Sequence, residues 1–302
     1  MNLLEHMTVS ADNKIYPEVA KELGIKEMSE WGFNVFKNKY SRFTEQQKAA
    51  WDEVYRPINE DFKKRYPTMG DEDYMRWKYQ RYMQDYLGCI ASVDENVGRV
   101  LDYIEESGLS ENTIVVYTSD QGFYLGEHGW FDKRFIYNES FKTPLVIKWP
   151  KKIKPGSVSD EMVQNLDFAQ TFLEAAGIEA PDDMQGESLM PLLTGNTDQW
   201  TRDAVYYHYY EYPGFHMVKR HYGIVTTEYK LAHFYYDFDE WELYDRNNDP
   251  LEMNNVYNDP NYADVVKDLK KRLNDLREKY NDSEELDQLF IDKYRERGII
   301  RD

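Results

Sequence analysis

A long stripe of apolar residues at helical spacing constrains the fold of this chain more than any other feature. From Asp71 onward, apolar and tyrosine side chains recur every three or four residues, which is the period of one helix face. The stripe consists of Met75, Tyr79, Tyr82, Tyr86, Ile90, Val93, Val97, Leu101 and Ile104. Gly108 follows it as a plausible C-terminal cap. The spacing therefore predicts a single long helix that begins near Asp71 and ends near Gly108. An earlier helical segment, residues 43–67, is expected to break near Pro57 and to stop by Pro67.

Two short β-rich segments follow the long helix. TIVVYTSD (residues 113–120) and TPLVIKWP (residues 143–150) predict buried strands, and NLDFAQTFLEAAGI (residues 165–178) predicts an amphipathic helix. Helix, strand, loop, strand and helix in this order indicate the α/β class, with a largely parallel sheet covered on both faces. Sites in such sheets form beyond the carboxyl ends of strands, where Asp120 is expected.

The pattern changes after about residue 194. AVYYHYYEY, HYGIVTTEYKLAHFYY and EWELYD predict the strands of an antiparallel meander, and YADVVKDLKKRLNDLREKY predicts a charged amphipathic helix. The mixed charges of that helix favour a solvated outer face over a partner-binding one. We therefore expect two domains: an α/β part over residues 1–195 and a smaller α+β subdomain with an antiparallel sheet over residues 196–302.

The net charge of −19 argues against a nucleic-acid partner and against docking on anionic lipid. A polyanionic substrate is still allowed, because the local field of a site can oppose the net charge. No apolar run is long enough to insert into a membrane. The single cysteine, Cys89, excludes a cysteine-based zinc site within the sequence.

The loop TSDQGFYLGEHGWFDKR (residues 118–134) concentrates polar side chains between glycines. Asp120 and Gln121 offer adjacent oxygen donors that suit a hard cation such as Ca²⁺ or Mg²⁺, which needs further oxygens to complete its shell. Lys133 could pair with an anion, and His128 could donate a proton. The alternative is an ordinary turn in which Asp120 and Gln121 cap the backbone, His128 is a loop histidine with satisfied hydrogen bonds, and Lys133 is solvated.

The segment TSDQGFYLGEHGWFDKRFIYNESFKTPLVIKWP resembles the second signature of the formylglycine-dependent sulfatases of the alkaline phosphatase superfamily. The similarity continues through YLGCIASVDENVGRVLDYIEESGLSENTIVVYTSD, LDFAQTFLEAAGIEAPDDMQGESLMPLLTG and WELYDRNNDPLEMNNV. It implies the C-terminal part of an alkaline-phosphatase-like mixed sheet flanked by helices. It also implies that Asp120 and Gln121 bind a metal, usually calcium, that Lys133 contacts the sulfate, and that His128 lies near the substrate. The implied reaction is sulfate-ester hydrolysis in which a hydrated formylglycine attacks sulfur.

The family's nucleophile motif, Cys-x-Pro/Ala-x-Arg, and the Asp-Asp pair before it do not occur in the sequence. The closest segment is CIASV at Cys89, where Val93 replaces the arginine, and we expect Cys89 to be a buried helix residue. The N-terminal LLEHMTVSADNK (residues 3–14) resembles family sequence that follows the nucleophile. We therefore expect a fragment that is inactive alone, exposes surface that the absent part would cover, and associates with a complementary N-terminal half.

The aromatic segment YYHYYEYPGFHMVKRHYGIV supplies candidate substrate-binding residues His216, Arg220 and His221. The alternative is a sheet edge with alternating exposed charge. The segment is similar to that of bacterial glycan sulfatases, including those that act on 6-sulfated N-acetylglucosamine, which makes a sulfated glycan or glycosaminoglycan the expected substrate. The family also implies a periplasmic or secreted full-length protein. Two alternatives stay open: a phosphoesterase or phosphonate hydrolase of the same superfamily, and a non-catalytic glycan-binding protein.

Overall fold

The computed structural model describes residues 6–26, 30–214 and 216–299. Residues 3–5 of the N-terminal segment that resembles family sequence lie outside this part. The helices are α1 (Pro17–Glu22), α2 (Trp31–Ser41), α3 (Glu45–Arg65), α4 (Asp71–Glu106), α5 (Asn138–Phe141), α6 (Asp167–Ala175), α7 (Met190–Leu193), α8 (Ala263–Lys279) and α9 (Glu284–Glu296). The strands are β1 (Val115–Thr118), β2 (Tyr124–Leu125), β3 (Phe131–Asp132), β4 (Leu145–Lys148), β5 (Ala204–Tyr209), β6 (His221–Thr226), β7 (Tyr229–Phe234) and β8 (Glu240–Asp245).

The chain forms two compact units. The first consists of residues 1–107 and 123–132, and the second of residues 108–122 and 133–302. This division is one of contact density, and the domain boundary expected near residue 195 stays a prediction.

The first unit is built on helices α1 to α4 around a small aromatic core. Phe62 of α3 is fully buried and stacks on Trp77 of α4, with ring centroids 4.1 Å apart. A capping box between Thr44 and Gln47 starts α3, and the helix then continues without a break through Pro57. The predicted break near Pro57 is wrong. A proline removes one backbone donor, and burial of the following turn through Asn59 and Phe62 holds the helix together around it.

Helix α4 confirms the predicted long helix, and Gly108 follows it with a φ of +70°. Part of its stripe is not covered, however: Ile90 and Val93 are 48% and 50% exposed, and Cys89 is also exposed. The expected burial of Cys89 is therefore wrong. The helical period fixed which residues share a face, but it could not show whether another element packs on that face.

Strands β1 and β4 pair antiparallel, with Val115 opposite Lys148 and Thr118 opposite Leu145. Tyr117 and Val146 are 47% and 63% exposed. The expectation of two buried strands in a largely parallel sheet is thus wrong for the described residues, in which every strand pair is antiparallel. A two-stranded ribbon cannot bury both of its faces, so apolar side chains remain at the surface.

The predicted meander is confirmed as a four-stranded antiparallel sheet in the order β5-β6-β7-β8. One face packs on α8 through a core of Ile224, Leu231, Leu243, Leu269 and Leu273. The opposite face is covered by residues 134–141, which we call the strap, through Phe135, Ile136 and Phe141. Helix α8 therefore buries its apolar side in the sheet and leaves its charged side to solvent, as its sequence predicted. Helix α9 follows it and was not expected.

Across the described residues, no helix combines enough length with enough apolar character to cross a membrane.

Candidate active site

Asp120 and Gln121 lie in the turn that directly follows β1. Asp120 is exposed and Gln121 is half-buried. The Ser119 hydroxyl donates a hydrogen bond of 2.8 Å to the Gln121 carbonyl, which tightens the turn. The carboxylate of Asp120 is thereby presented at the end of the strand, as the sequence predicted.

Gly122 allows this turn to lie directly against α5. Its amide donates a 2.8 Å hydrogen bond to the Ser140 carbonyl. A Cβ atom at this position would lie only 2.1 Å from the Glu139 carbonyl oxygen, so no residue with a side chain fits without backbone movement.

Lys133 and Arg134 begin the second half of the loop. The Arg134 amide donates a 2.6 Å hydrogen bond to the Ser140 hydroxyl, and its carbonyl accepts a 2.5 Å hydrogen bond from Tyr207 of β5. Arg134 has a φ of +100°, a backbone conformation that costs a residue with a side chain about 1–3 kcal/mol and persists only where the surroundings enforce it.

Ser140 therefore joins the two functional parts of the loop. Its side chain is 6% exposed, its carbonyl holds the residue after Gln121, and its hydroxyl holds the residue after Lys133. Ser140 thus holds the residue next to the candidate metal ligands and also the residue next to the candidate sulfate-contacting lysine.

His128 lies at the tip of the β2–β3 hairpin, which belongs to the first compact unit, whereas Asp120, Gln121 and Lys133 belong to the second. Its φ is +55°, and its ring lies 6.0 Å from Tyr124 and 5.7 Å from Trp130, measured between centroids. The two rings limit the orientations open to the imidazole. The role of His128 near a substrate stays a prediction.

The donor chemistry at Asp120 and Gln121 fits a hard cation, because a carboxylate and an amide oxygen are the ligands that such ions prefer. The number of donors is short, since Ca²⁺ takes about six to eight oxygens. Within the described ranges, no group of three or more His, Cys, Asp or Glu side chains is arranged to hold a metal. Asp120 and Gln121 can therefore supply part of a coordination shell.

The structure separates the three candidate substrate-binding residues. His216 is partly exposed, and its Nδ1 lies 2.7 Å from the Glu211 carboxylate. Burial opposes ionisation of Glu211, but hydrogen bonds from Tyr209 and His216 outweigh it and lower the pKa of this carboxyl. His216 thus belongs to a charged, accessible cluster, and its contact with a substrate stays a prediction.

Arg220 and His221 are both fully buried. Arg220 donates hydrogen bonds to the Tyr212 carbonyl at 2.6 Å and to Asp287 at 3.0 Å, which ties the start of β6 to α9. Of the three candidates, we therefore carry forward only His216 for direct contact. The sequence could not reveal this difference, because nothing local shows which side of β6 is covered.

His221 lies among aromatic rings on the strap-covered face of the sheet. Phe135 and Phe234 stack on it, with ring centroids 5.7 and 4.9 Å away. Its Nδ1 lies 2.7 Å from the Lys219 carbonyl, while its Nε2 has no hydrogen-bond partner in the described part of the chain. Burial lowers the pKa of His221 to about 4, against a smaller opposing effect of the Lys219 carbonyl.

Comparison with known proteins identifies the family. The model for the C-terminal part of N-sulphoglucosamine sulphohydrolase matches residues 126–279, and the sulfatase model matches residues 30–178. The chain belongs to the sulfatase family. The predicted resemblance is thereby confirmed. Members of this family generally depend on a formylglycine and a metal ion, and they are often secreted or periplasmic.

Individual relatives agree with this assignment. An N-acetylglucosamine-6-O-sulfatase of Bacteroides thetaiotaomicron is 50% identical over 247 residues, which are 81% of this chain and 44% of that protein. A solved structure in complex with its substrate D-glucosamine-2-N,6-O-disulfate is 44% identical, with a TM-score of 0.83 over 94% of this chain and 56% of the other. The sulfatase chain thus spans about half the length of these relatives.

A more distant solved structure supports the fold. The phosphonate monoester hydrolase of Agrobacterium radiobacter is 24% identical, with a TM-score of 0.60 over 71% of this chain and 47% of the other. Together with the sulfatase structures, it confirms the predicted alkaline-phosphatase-like class.

The structure also reveals residues that the sequence reasoning missed: Ser140, Lys230 and Glu252. All three are buried polar residues: Ser140 lies within the strap, and Lys230 and Glu252 contact it. Ser140 and Glu252 lie in polar segments, YNESFKTP and NNDPLEMNN, which gives no sequence signal that either side chain is buried.

Proposed function

We propose that this chain provides two metal ligands, Asp120 and Gln121, and the lysine, Lys133, of a sulfatase site. The site hydrolyses 6-O-sulfate esters of glucosamine residues in sulfated glycans. The observation that carries the proposal is the joint attachment to Ser140 of Gly122, next to Gln121, and of Arg134, next to Lys133. The substrate class is supported by the N-acetylglucosamine-6-O-sulfatase and by the structure with glucosamine disulfate.

Asp120 and Gln121 would hold the metal ion, with calcium as the expected ion and magnesium as the alternative. When bound there, the ion would offset negative charge on the sulfuryl oxygens, and a formylglycine outside this sequence would supply the nucleophile. Lys133 would contact the sulfate and stabilise charge on the departing sugar oxygen. His128 would donate a proton near that oxygen, and His216 would contact the sugar.

We also propose that a complementary N-terminal half covers the exposed apolar surfaces of this chain. On α4, Leu87 and Val100 are 56% and 58% exposed, and on β4 Val146 is 63% exposed. Apolar side chains at this density on a helix face and on a strand face indicate surfaces that are normally buried. The relatives are about twice as long, which leaves enough sequence to cover them. The full-length protein would be exported to the periplasm or secreted, which cell fractionation can test.

The decisive experiment combines this chain with the part of the Bacteroides thetaiotaomicron relative that it does not match, in a host that makes formylglycine. Sulfate release from 6-sulfated N-acetylglucosamine is then measured against a 4-sulfated isomer and a phosphonate monoester. We expect calcium-dependent release from the 6-sulfate that is lost in Asp120→Ala and Lys133→Ala. Preferential hydrolysis of the phosphonate would instead support the phosphonate hydrolase alternative. Binding of the 6-sulfated sugar with no turnover would support a non-catalytic glycan-binding protein.

A further inference from the structure

We propose that Lys230 and Glu252 are positioning residues that fix the strap, and through Ser140 fix both Asp120–Gln121 and Lys133. Neither residue is near the proposed reacting atoms in sequence. Both lie in the C-terminal part of the chain, which then takes part in shaping the active site. This inference rests on the proposed function for the roles of Asp120, Gln121 and Lys133, whereas the contacts themselves are independent of it.

Lys230 and Glu252 form a fully buried ion pair beside the strap. The Lys230 ammonium lies 2.6 Å from the Glu252 carboxylate, and the two side chains are 0% and 1% exposed. The ammonium also donates hydrogen bonds to the Ile136 carbonyl at 2.7 Å and to the Asn138 side-chain oxygen at 3.2 Å. The second carboxylate oxygen of Glu252 accepts a 3.0 Å hydrogen bond from the Asn138 amide. The pair thus binds the strap backbone at two points before α5: Lys230 at the Ile136 carbonyl and Glu252 at the Asn138 backbone amide.

A buried ion pair adds little net stability, because desolvation of both charges offsets most of their attraction. Burial lowers the pKa of Lys230 to about 8, with Glu252 opposing the change, so the ammonium remains mostly protonated at neutral pH. Glu252 also has a φ of +53°, an unfavourable conformation that its surroundings must enforce. Both observations indicate that this pair is held for its geometry, and what it orients is the strap.

The sheet surface beneath the strap fits it closely. Ile136 is fully buried, and a Cβ atom on Gly223 would lie 2.6 Å from the end of its side chain and 2.5 Å from the Leu231 carbonyl oxygen. Tyr137 donates a 2.7 Å hydrogen bond to Glu242 of β8. The strap therefore packs on the sheet at one closely fitting position, and its contacts with the Lys230–Glu252 pair add to this packing.

The order of contacts connects this position to the site. The pair fixes Ile136 and Asn138; Asn138 begins α5, which carries Ser140; and Ser140 holds the amides of Gly122 and Arg134. A strap that shifts by a few tenths of an ångström would move both ends of the functional loop. Outer-shell groups that hydrogen-bond directly to metal ligands change metal affinity about 10- to 100-fold when they are removed, and a pair that acts through Ser140 is expected at the lower end of that range.

The test is hydrogen–deuterium exchange on the full 302-residue chain, followed at the amides of Gly122 and Arg134. Lys230→Met removes the charge and all donors but keeps the length of the side chain. Glu252→Gln keeps an acceptor for Asn138 and should behave more mildly. Lys271→Met is the matched control, because this exposed lysine pairs with Asp275 on α8 at 3.0 Å and does not contact the strap. Amides of α8 report the stability of the sheet as a whole.

We expect Lys230→Met to lower the overall stability, because it leaves the Glu252 carboxylate buried without its partner. Exchange at both amides should then accelerate at least about tenfold more than exchange in α8, with the control like wild type. Unchanged exchange at Gly122 and Arg134 would overturn the proposal, as would equal acceleration throughout α8, which indicates general destabilisation. If Lys230→Met does not fold, Glu252→Gln decides by the same comparison of both amides with α8, because it removes one charge of the pair with little change in side-chain size.

Calcium titration of the same variants, each combined with the complementary N-terminal part as in the experiment above, separates the two proposals. Positioning predicts an affinity about tenfold weaker in Lys230→Met than in the control. A wild-type complex that binds no calcium would count against the proposed metal role of Asp120 and Gln121, while the exchange measurement would still decide whether the pair positions the loop.

Discussion

Burial of His221 predicts that the chain loses stability as the pH falls from 6.5 toward 4. In the folded state, phenyl and phenol rings surround the imidazole, and its Nε2 has no hydrogen-bond partner in the described residues. Protonation would therefore bury a charge with one unsatisfied donor. The pKa is lowered by burial from 6.5 to about 4, so the unfolded chain binds the additional proton first as the pH falls.

The size of the effect follows from the difference between the two pKa values. This difference corresponds to about 3 kcal/mol once the pH is below both values. At pH 5 the same two values give a loss of about 2 kcal/mol relative to pH 7.5, or about 30-fold in the unfolding equilibrium constant. From about pH 7.5 upward the histidine contributes almost no pH dependence, because it is then mostly neutral in both states.

Equilibrium urea unfolding at pH 7.5, 6.0 and 5.0 measures this contribution by comparing wild type with His221→Leu, which has a similar volume and cannot be protonated. The variant is expected to differ from wild type by a constant at high pH, because it loses the hydrogen bond to the Lys219 carbonyl. The free energy of wild type relative to the variant should then fall by about 2 kcal/mol at pH 5.

His216→Asn is the control, since it removes a histidine from the same sheet at a partly exposed position. The other titratable groups facing His221 are the phenols of Tyr207 and Tyr209 and the more distant His208. Burial raises the pKa of both phenols further above this range, so they do not titrate in the experiment. Parallel pH curves for wild type and His221→Leu would refute the reasoning.

Three further predictions follow from close contacts and exposed surfaces. Gly122→Ala should weaken calcium binding and cost about 1–3 kcal/mol in urea unfolding, because its Cβ meets the Glu139 carbonyl at 2.1 Å. The control Gly88→Ala, on α4, meets nothing within 4 Å and should be neutral or slightly stabilising. Equal effects of the two substitutions would contradict the prediction. Arg202→Met should lower the unfolding free energy by about 3–5 kcal/mol, since it leaves the buried carboxylate of Asp167 without the partner that it holds at 2.5 and 2.8 Å, and Arg202→Met/Asp167→Leu should recover part of the loss. Val93→Lys and Val146→Lys should each reduce self-association of the isolated chain in sedimentation velocity, whereas Lys271→Met should not. Unchanged association would show that these apolar surfaces do not mediate association.

Local sequence patterns predicted which helices and strands form better than they predicted which of these elements pack against each other. The period of α4, the alternation in β5 to β8 and the apolar face of α8 each arise within one segment, so they could be read directly. The pairing of β1 with β4 could not, because short apolar strands have the same pattern in parallel and antiparallel sheets. Burial of His221 and exposure of Cys89 likewise depend on what lies across from them.

The same distinction applies to the site. Asp120, Gln121 and Lys133 could be proposed from chemistry and resemblance, because their residue types suit a cation and an anion. Ser140 could not, since its role depends on two backbone amides, 18 and 6 residues earlier, that meet it only in the folded chain. The need for glycine at position 122 also arises only in the folded chain, from the close approach of the α5 backbone.

These contacts bear on how the chain should be divided. A boundary near residue 195 follows the change in sequence pattern, and it would separate the strap from the sheet that buries it. Ile136 is fully buried against β6 and β7, and Asn138 is held by Glu252 from beyond β8. Without that sheet, the strap would lose its apolar seat and both of its buried charged contacts, and Ser140 would have no fixed position from which to hold Gly122 and Arg134. Because a short loop rarely keeps an unfavourable backbone such as that of Arg134 unless its surroundings enforce it, the meander is better regarded as the structural support of the proposed sulfate site than as an appendage to it.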